Sequence, residues 1–439
     1  MKKKAKKKSK NNKRIRNWMQ ESQKKGISTD KRIDDKSSEE KNEDVSIEKK
    51  SRKTKTVLLS VGLAVLVIVN VLYFSGIGKR SIRELEHQTS GKISTSEGYY
   101  VGETDFGIFD GNGTLNFNGG KTLTGIWSDG SLTGKGVAAF DKLGKYEGDY
   151  EDTKRSGKGT FTWENGDVYV GEWSNDSING KGILTWADGS IYEGEFEDNL
   201  FSGTGTLTLP SKGKYTGSFS GGKFDGKGVL ELSNGDKYDG EWSEGQLSGK
   251  GTYTWKNGDV YTGEFYENAF DGDGEYKQKS GASLKGSFGD NSIAEGTGYN
   301  KNKNASYTFT FSQGKLSNAK IEFSDKAKYD GGYSDNAFNG NGSFTYKNGD
   351  TYSGSFSKGL RSGQGTYTWK SSGAKYTGAW TNDKMNGNGT YYYSAKAKGY
   401  KLEGSFKNNQ PDGKCTYYLS ESKSYTTHWS KGKCTKLEE

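Results

Sequence analysis

The sequence has few of the residues from which catalytic and metal sites are usually built. It contains 2 histidines and 2 cysteines among 439 residues. His87 and His428 lie at opposite ends of the region that follows a hydrophobic segment, so no Ser-His-Asp or Cys-His set can be assembled from them. This scarcity argues against an enzyme, and the sequence predicts no cofactor and no metal ion.

Aliphatic residues are scarce as well. Only 30% of the chain is hydrophobic, whereas there are 66 glycines, 28 tyrosines, 20 phenylalanines and 10 tryptophans. A compact globule of this length would need more aliphatic side chains, but a thin repeat array can be held together by rings and glycine. Disorder would also explain the low hydropathy, yet the tyrosines and tryptophans are too regularly phased for that.

The phase is set by a Tyr-x-Gly-x-aromatic motif. Nine successive steps from Tyr100 to Tyr307 are each 23 residues, with leucine in the tyrosine slot at Leu123 and Leu284. The clearest copies are Tyr169–Trp173, Tyr192–Phe196, Tyr215–Phe219, Tyr238–Trp242 and Tyr261–Phe265. A fixed period of this length is typical of a stacked array, in which each unit buries its apolar face against its neighbours.

The repeat that begins at Tyr169 illustrates what each unit forms. Alternate residues of Tyr169–Trp173 share one face of a strand, and so do those of Gly182–Trp186. With Ser174–Asn179 as a loop, the repeat is predicted to be a β-hairpin with one aromatic face. The glycines on that face are expected to leave room for a ring from the next unit.

Asn-Gly-Asp segments separate several units. They are Asn165–Asp167, Asn234–Asp236, Asn257–Asp259 and Asn348–Asp350. Asn-Gly between two strand patterns predicts a tight turn in which both residues have positive φ. Turn formation accounts for these segments, and no calcium site is predicted from them.

The fold class follows from these patterns. The sequence predicts an all-β array over residues 100–439, an elongated meander of about fifteen 23-residue β-hairpin repeats in a single twisted sheet. It is expected to be irregular around residues 284–328, where Phe309 occupies a glycine slot. A kink or a widened groove is predicted there, and neutral drift in a tolerant array is the alternative.

One hydrophobic segment precedes the array. Residues 56–78 contain no charged side chain and are predicted to form a transmembrane α-helix. A cleaved signal peptide is disfavoured, because 55 residues precede the segment and no A-x-A site follows it. Residues 79–99 are predicted to be a juxtamembrane stalk, helical around Ser81–Gln88 and flexible after Gly91.

The basic residues are concentrated before this segment. Residues 1–55 carry 21 Lys and Arg against 9 Asp and Glu, which predicts a disordered cytoplasmic tail and a repeat array outside the cell membrane. Residues 1–16 are expected to contact anionic lipids, the alternative being a tail that only sets orientation. The rest of the chain is nearly balanced in charge, so no nucleic-acid partner is expected.

The repeat itself is similar to a known one. The pattern Tyr-x-Gly-Glu-(Trp/Phe), followed by Gly-x-Gly and then Trp-x-Asn-Gly-Asp, resembles the MORN repeat over residues 100–439. The unit at Tyr307 departs from the pattern because it lacks Gly-x-Gly, and Thr427 replaces the glycine in the last unit. The resemblance implies an interaction module with an aromatic-lined concave face and no catalytic domain.

A function follows from the ring pattern and the anchor. We predict a single-pass membrane-anchored scaffold that binds a protein or peptide through an aromatic groove. The alternative is a binder of cell-wall glycan or membrane lipid that tethers the membrane to a second surface. The predicted binding residues are Tyr169, Trp173, Trp186, Tyr192, Phe196, Tyr238, Trp242, Trp255, Tyr261 and Phe265. For each of these rings, a place in the core is the competing interpretation.

The two cysteines fall in the last two units. Outside the cell, Cys415 and Cys434 are expected to form a disulfide that stops the terminal repeat from fraying. Two free thiols are the alternative.

Overall fold

The structure, a computed structural model, describes residues 91–394 and 400–438. This part of the chain forms 31 strands and no helix, so the predicted all-β meander is confirmed there. It accordingly contains no helix that could cross a membrane. The predicted tail (1–55), the predicted transmembrane helix (56–78) and the first part of the stalk lie outside the described residues.

The described residues divide into two compact units. The first comprises residues 91–234 and 241–246, and the second comprises 235–240 together with the described residues from 247 onward. Strand β14 (Lys237–Ser243) contributes residues to both.

In the first unit, consecutive strands pair antiparallel in chain order from β1 to β13. The strands are β1 (Gly91–Thr95), β2 (Gly98–Asp105), β3 (Ile108–Phe117), β4 (Thr122–Ser128), β5 (Ser131–Phe140), β6 (Gly144–Glu151), β7 (Lys154–Trp163), β8 (Val168–Ser174), β9 (Ser177–Thr185), β10 (Ile191–Glu197), β11 (Leu200–Leu209), β12 (Gly213–Ser220) and β13 (Lys223–Leu232). Strand β1 lies within the predicted stalk, so the expectation of a flexible chain after Gly91 is wrong.

The second unit continues the same antiparallel pattern from β15 to β31. Its strands are β15 (Gln246–Thr254), β16 (Val260–Tyr266), β17 (Ala269–Lys277), β18 (Ser283–Gly289), β19 (Ser292–Lys301), β20 (Ala305–Ser312), β21 (Lys315–Phe323), β22 (Lys328–Ser334), β23 (Ala337–Thr345), β24 (Thr351–Ser357), β25 (Leu360–Thr368), β26 (Lys375–Thr381), β27 (Lys384–Tyr392), β28 (Lys401–Lys407), β29 (Gln410–Tyr418), β30 (Ser424–Ser430) and β31 (Lys433–Glu438).

Each regular repeat is organised by a tyrosine ring that lies over a pair of glycines. Gly171 of β8 pairs with Gly182 of β9, and a Cβ added to Gly182 would lie 2.4–2.6 Å from atoms of the buried Tyr169 side chain. The Tyr169 hydroxyl donates a hydrogen bond to the carbonyl of Glu172 at 3.0 Å. The glycines therefore make room for a ring of their own repeat, whereas the sequence led us to expect a ring from the next unit.

This hydroxyl bond recurs along the chain. It is also made by Tyr100, Tyr146, Tyr192, Tyr215, Tyr261, Tyr329, Tyr352 and Tyr376.

A β-bulge follows the glycine pair. Glu172 lies opposite the three residues 179–181, because the next paired residue of β8 is Trp173. Gly180 in this bulge has a φ of +78°, a conformation that favours glycine. The Glu172 carboxylate accepts the Lys181 backbone N–H at 3.1 Å. The glutamate of the motif thus satisfies a backbone donor that the bulge removes from the ladder.

The turn within a repeat differs from the prediction. It consists only of Asn175 and Asp176, whose φ values of 48° and 69° match the type I′ turn of a two-residue hairpin. The loop is therefore shorter than predicted. In the Asn-Gly-Asp turn, Gly166 has positive φ but Asn165 does not, so the prediction of two positive φ values there is wrong.

The two irregular repeats within residues 284–328 keep their strand pairing but have a smaller bulge. In the second of them Ser317 is the single extra residue. A one-residue bulge does not need a glycine between its ends, which explains why this repeat can lack Gly-x-Gly. Phe309 pairs with Ala319 in place of the usual glycine. The predicted kink or widened groove stays a prediction.

Rings of successive repeats pack against one another. Tyr192 stacks on Phe201 of its own repeat, with ring centroids 3.8 Å apart, and meets Phe219 of the next repeat edge to face at 5.1 Å. Stacked and edge-to-face arrangements are the ones that aromatic quadrupoles favour. Each repeat therefore depends on its neighbour to complete the burial of its rings.

We predict that Gly182→Ala destabilises its repeat by about 1–3 kcal/mol, the usual cost of overpacking a core, because the added Cβ would overlap the Tyr169 ring. The measurement is amide hydrogen exchange over β8 and β9, together with urea unfolding of the full-length protein. Gly119→Ala is the matched control, since a Cβ there would have no heavy atom within 4 Å. Equal effects of the two substitutions would contradict the proposed ring-over-glycine contact.

We also predict that the array loses stability as the pH rises above 10. Burial raises the pKa of Tyr352 and of Tyr376 to about 12, whereas an unperturbed tyrosine has a pKa of about 10. Between these values the unfolded chain has released protons that the folded chain retains, so the free energy of unfolding falls with pH. Denaturant unfolding at pH 8, 10 and 11 measures this loss. A free energy that stays constant across this range would contradict it, and Tyr352→Phe should reduce the slope.

Candidate partner-binding surface

Nine of the ten predicted binding rings belong to the core. The buried nine are Tyr169, Trp173, Trp186, Tyr192, Phe196, Tyr238, Trp242, Tyr261 and Phe265, none of them more than 6% exposed. Trp255 alone is half-buried. The strand alternation placed these residues on one common face, but that face is covered by neighbouring rings. The competing interpretation of these nine rings as core is the one that the structure favours.

A different set of rings is partly open to solvent. It lies in the second unit, on the core face, near the ends of strands β23, β25, β27 and β29. We call it the aromatic ribbon, and its members are Phe344, Tyr346, Tyr367, Trp369, Tyr391, Tyr393 and Tyr417.

The ribbon is continuous from ring to ring. The successive centroid distances are 4.6 Å for Phe344–Tyr346, 5.5 Å for Tyr346–Tyr367, 4.7 Å for Tyr367–Trp369, 5.4 Å for Trp369–Tyr391, 5.1 Å for Tyr391–Tyr393 and 6.0 Å for Tyr393–Tyr417. The ring planes are tilted against one another by 45° to 74°. The surface is therefore uneven, because neighbouring rings that contact one another present their edges and faces at different angles.

The ribbon arises where two slots near the end of the second strand hold aromatic residues in successive repeats. Its members lie two and four residues after the second glycine slot of each repeat. In the first unit many of the equivalent side chains are buried, among them Leu184, Leu207 and the rings of Phe161 and Trp163. The sequence carries a signal for the ribbon outside the Tyr-x-Gly-x-aromatic motif, since aromatic residues fill both slots in three successive repeats from residue 344 onward.

A buried carboxylate fixes the middle of the ribbon. Asp350 accepts the Tyr367 hydroxyl at 2.7 Å and the Lys370 backbone N–H at 2.9 Å, while Asn348 donates to it at 2.9 Å. Although burial opposes it, these hydrogen bonds hold the pKa of Asp350 below its usual value. Burial, followed by the bond to Asp350, raises the pKa of Tyr367. The Asn-Gly-Asp turn thus ties one repeat to the next.

An arginine side chain of strand β25 packs against the Tyr367 ring of the ribbon and against Trp380. The Arg361 guanidinium lies over the Trp380 ring at 4.4 Å and near Tyr367 at 5.2 Å. Its Nε donates to the Asp383 carboxylate at 3.0 Å, and its Nη2 donates to the Asp383 carbonyl at 2.7 Å. The hydrogen bonds to Asp383 thus fix the orientation of a guanidinium that lies against the Tyr367 ring.

The tyrosine hydroxyl groups along the ribbon are uncharged at neutral pH. Burial raises the pKa of Tyr346 and Tyr391, and it raises the pKa of Tyr393 to about 12. At neutral pH these phenols therefore donate and accept hydrogen bonds and carry no charge. A partner would meet apolar ring edges interspersed with neutral polar groups.

The two cysteines lie on strands that are not neighbours in the sheet. Cys415 is buried on β29 and Cys434 is exposed on β31, and both are free thiols. Strand β30 lies between the two strands, a separation of about 9.6 Å at ordinary strand spacing. A disulfide needs Cα atoms within about 7 Å. The structure therefore favours two free thiols over the expected disulfide.

The described residues show no cluster of metal-binding side chains. Residues 91–394 and 400–438 contain no group of three or more His, Cys, Asp or Glu side chains that could hold a metal ion. The chemistry that the ribbon offers is that of burial, stacking and hydrogen bonding.

Solved structures with some likeness to this chain differ widely. They include the SAS-4 TCP domain of Drosophila melanogaster in complex with a proline-rich motif of Ana2 (13% identity, 39% of this chain, 81% of that chain, TM-score 0.21). A streptogramin B lyase shares 12% identity over 61% of this chain and 90% of that chain, with a TM-score of 0.12. PorZ of Porphyromonas gingivalis shares 9% identity over 80% of this chain and 81% of that chain, with a TM-score of 0.10. TM-scores this low carry no argument. No curated protein matches the chain.

The MORN repeat family matches at ten segments. They are residues 146–168, 169–191, 192–214, 215–237, 238–260, 261–283, 329–351, 352–374, 376–395 and 403–421. The unmatched interval 284–328 coincides with the two repeats of smaller bulge. The matched segments make up just over half of the chain, and the protein belongs to the MORN-repeat family.

Proposed function

We propose that this protein is a single-pass membrane-anchored, extracytoplasmic scaffold that binds a protein or peptide partner through the aromatic ribbon. The MORN repeat is not a catalytic family, and an array of such repeats indicates a scaffold or binding protein. The observation that carries the proposal is the continuous row of partly exposed rings from Phe344 to Tyr417.

The chemistry of the ribbon suits a polypeptide. Tyrosine and tryptophan offer large contact areas at low conformational cost and dominate the energetics of many protein interfaces. Rings tilted against one another offer edges and faces at different angles, against which individual peptide side chains can pack. A stack of sugar rings would be served better by coplanar rings, so the uneven surface favours a polypeptide over a glycan.

Membrane attachment is supported by the sequence. The uncharged residues 56–78 are long enough for one span, and the basic residues before them favour a cytoplasmic N-terminus. Such an anchor would present the ribbon outside the cell.

We predict that a membrane-impermeant maleimide labels the protein on intact cells, because Cys434 is exposed and Cys415 is buried. Cys434→Ser should abolish the labelling, while Cys415→Ser should leave it. Labelling that requires permeabilised cells would contradict the extracytoplasmic placement.

We predict that peptides selected by the full-length protein from a random display library lose affinity at least 10-fold on Trp369→Ala. A ring at the centre of an interface commonly contributes 2 kcal/mol or more, roughly a 30-fold change in affinity. Fluorescence anisotropy with the selected peptides measures the effect, and Trp369→Phe should restore part of it.

The control is Tyr266→Ala. Tyr266 is 62% exposed, more than the half-buried rings of the ribbon, but it lies on β16 outside the ribbon. Its substitution should change affinity less than 2-fold. Peptide binding that is insensitive to Trp369→Ala, or binding of wall glycan or lipid vesicles with no peptide binding, would refute the ribbon as a peptide site.

A further inference from the structure

Two exposed lysines border the aromatic ribbon. Lys347 follows Tyr346 directly, and Lys370 follows Trp369 directly. Neither ammonium group forms an ion pair with another described residue. We call this pair the lysine border.

The position of Lys370 is set by the preceding turn. Its backbone N–H is fixed by the Asp350 carboxylate at 2.9 Å. Its side chain lies across Gly349, since a Cβ added there would be 2.3 Å from the Lys370 Cδ and 3.0 Å from its Nζ. The absence of a side chain at position 349 therefore allows the lysine to lie along the edge of the ribbon.

The fold does not require lysine in this slot. In the first unit Ala187 occupies it and makes the equivalent backbone bond to Asp167 at 2.9 Å, and Glu164 stands in the same slot one repeat earlier. The fold therefore does not depend on the positive charge of the lysine border, and this charge affects only the surface that a partner would contact. It supplies what the ribbon lacks, namely a charge that can discriminate between partners.

We propose that the lysine border makes the aromatic ribbon selective for an acidic peptide segment. The inference rests on the proposed function, because it names the chemistry of the partner that the ribbon binds. Apolar and aromatic side chains of the peptide pack on the exposed edges of the rings, and its carboxylates pair with Lys347 and Lys370.

The spacing of the border predicts a pattern in the partner. Equivalent positions of successive repeats are two strands apart, about 9.6 Å at ordinary strand spacing. An extended peptide advances about 3.3 Å per residue, so two acidic residues separated by two others match the two lysines. Acid-x-x-acid with apolar residues between is the expected motif.

The test uses the full-length protein and a random 12-residue peptide library. Selected peptides should be enriched in Asp and Glu, with acidic pairs three residues apart. Replacing those acids by Gln or Asn in a synthetic peptide should weaken binding at least 10-fold. Lys347→Gln combined with Lys370→Gln should weaken binding of the acidic peptide by a similar factor and remove its preference over the neutral one.

A matched control is available in the same unit. Lys256 and Lys279 occupy the same slot, and their backbone N–H groups are bound to Asp236 and Asp259 at 2.8 and 3.0 Å, but they lie outside the ribbon. Lys256→Gln combined with Lys279→Gln makes the same change in net charge and should alter affinity less than 2-fold. An equal loss with both pairs would overturn the inference, since a general charge effect would explain it.

The remaining outcomes separate this inference from the proposed function. Selected peptides without acidic enrichment, still dependent on Trp369, would overturn the inference and leave the peptide site standing. Binding of polygalacturonate or phosphatidylglycerol vesicles in preference to acidic peptides would overturn it too. If no peptide binds, the inference and the proposed function both fail.

Discussion

The contact on which the structure depends is a tyrosine ring lying over a cross-strand pair of glycines. At Tyr169 the ring takes the space that a Cβ on Gly182 would need, and its hydroxyl holds the Glu172 carbonyl at the bulge. Because the ring packs on the main chain, a repeat can be stable with few aliphatic residues. The bulge, its glycine with positive φ and the capping glutamate all follow from bringing the ring and the backbone this close.

This contact also restricts where a partner can bind. Rings in the tyrosine slot are buried by the repeats themselves, so replacing them would damage the fold before it altered binding. The slots near the end of the second strand are less constrained. They hold buried side chains such as Leu184 and Phe161 in the first unit, and partly exposed rings from Phe344 to Tyr417 in the second. A repeat protein can in this way carry a specific surface without changing its core contact.

The limits of sequence reasoning appear at particular residues. Alternation placed Tyr169 and Trp173 on one face correctly, but the same alternation could not tell whether that face was open or covered. Asn165-Gly166 fits a type I′ turn by composition, yet that turn forms at Asn175-Asp176 because the repeat is closed there by only two residues. The smaller bulge near Ser317 likewise depends on pairing between strands, which no single segment specifies.

The period, the all-β class, the hairpin in each repeat and the membership of the MORN family were determined by the sequence alone, because they depend on spacing and alternation along the chain. The aromatic ribbon, the burial of nine predicted rings and the separation of Cys415 from Cys434 were decided by the tertiary structure. The physical reason is that exposure and distance depend on which strands are neighbours and on which rings cover one another. Those are properties of several repeats packed together, and one repeat read by itself does not contain them.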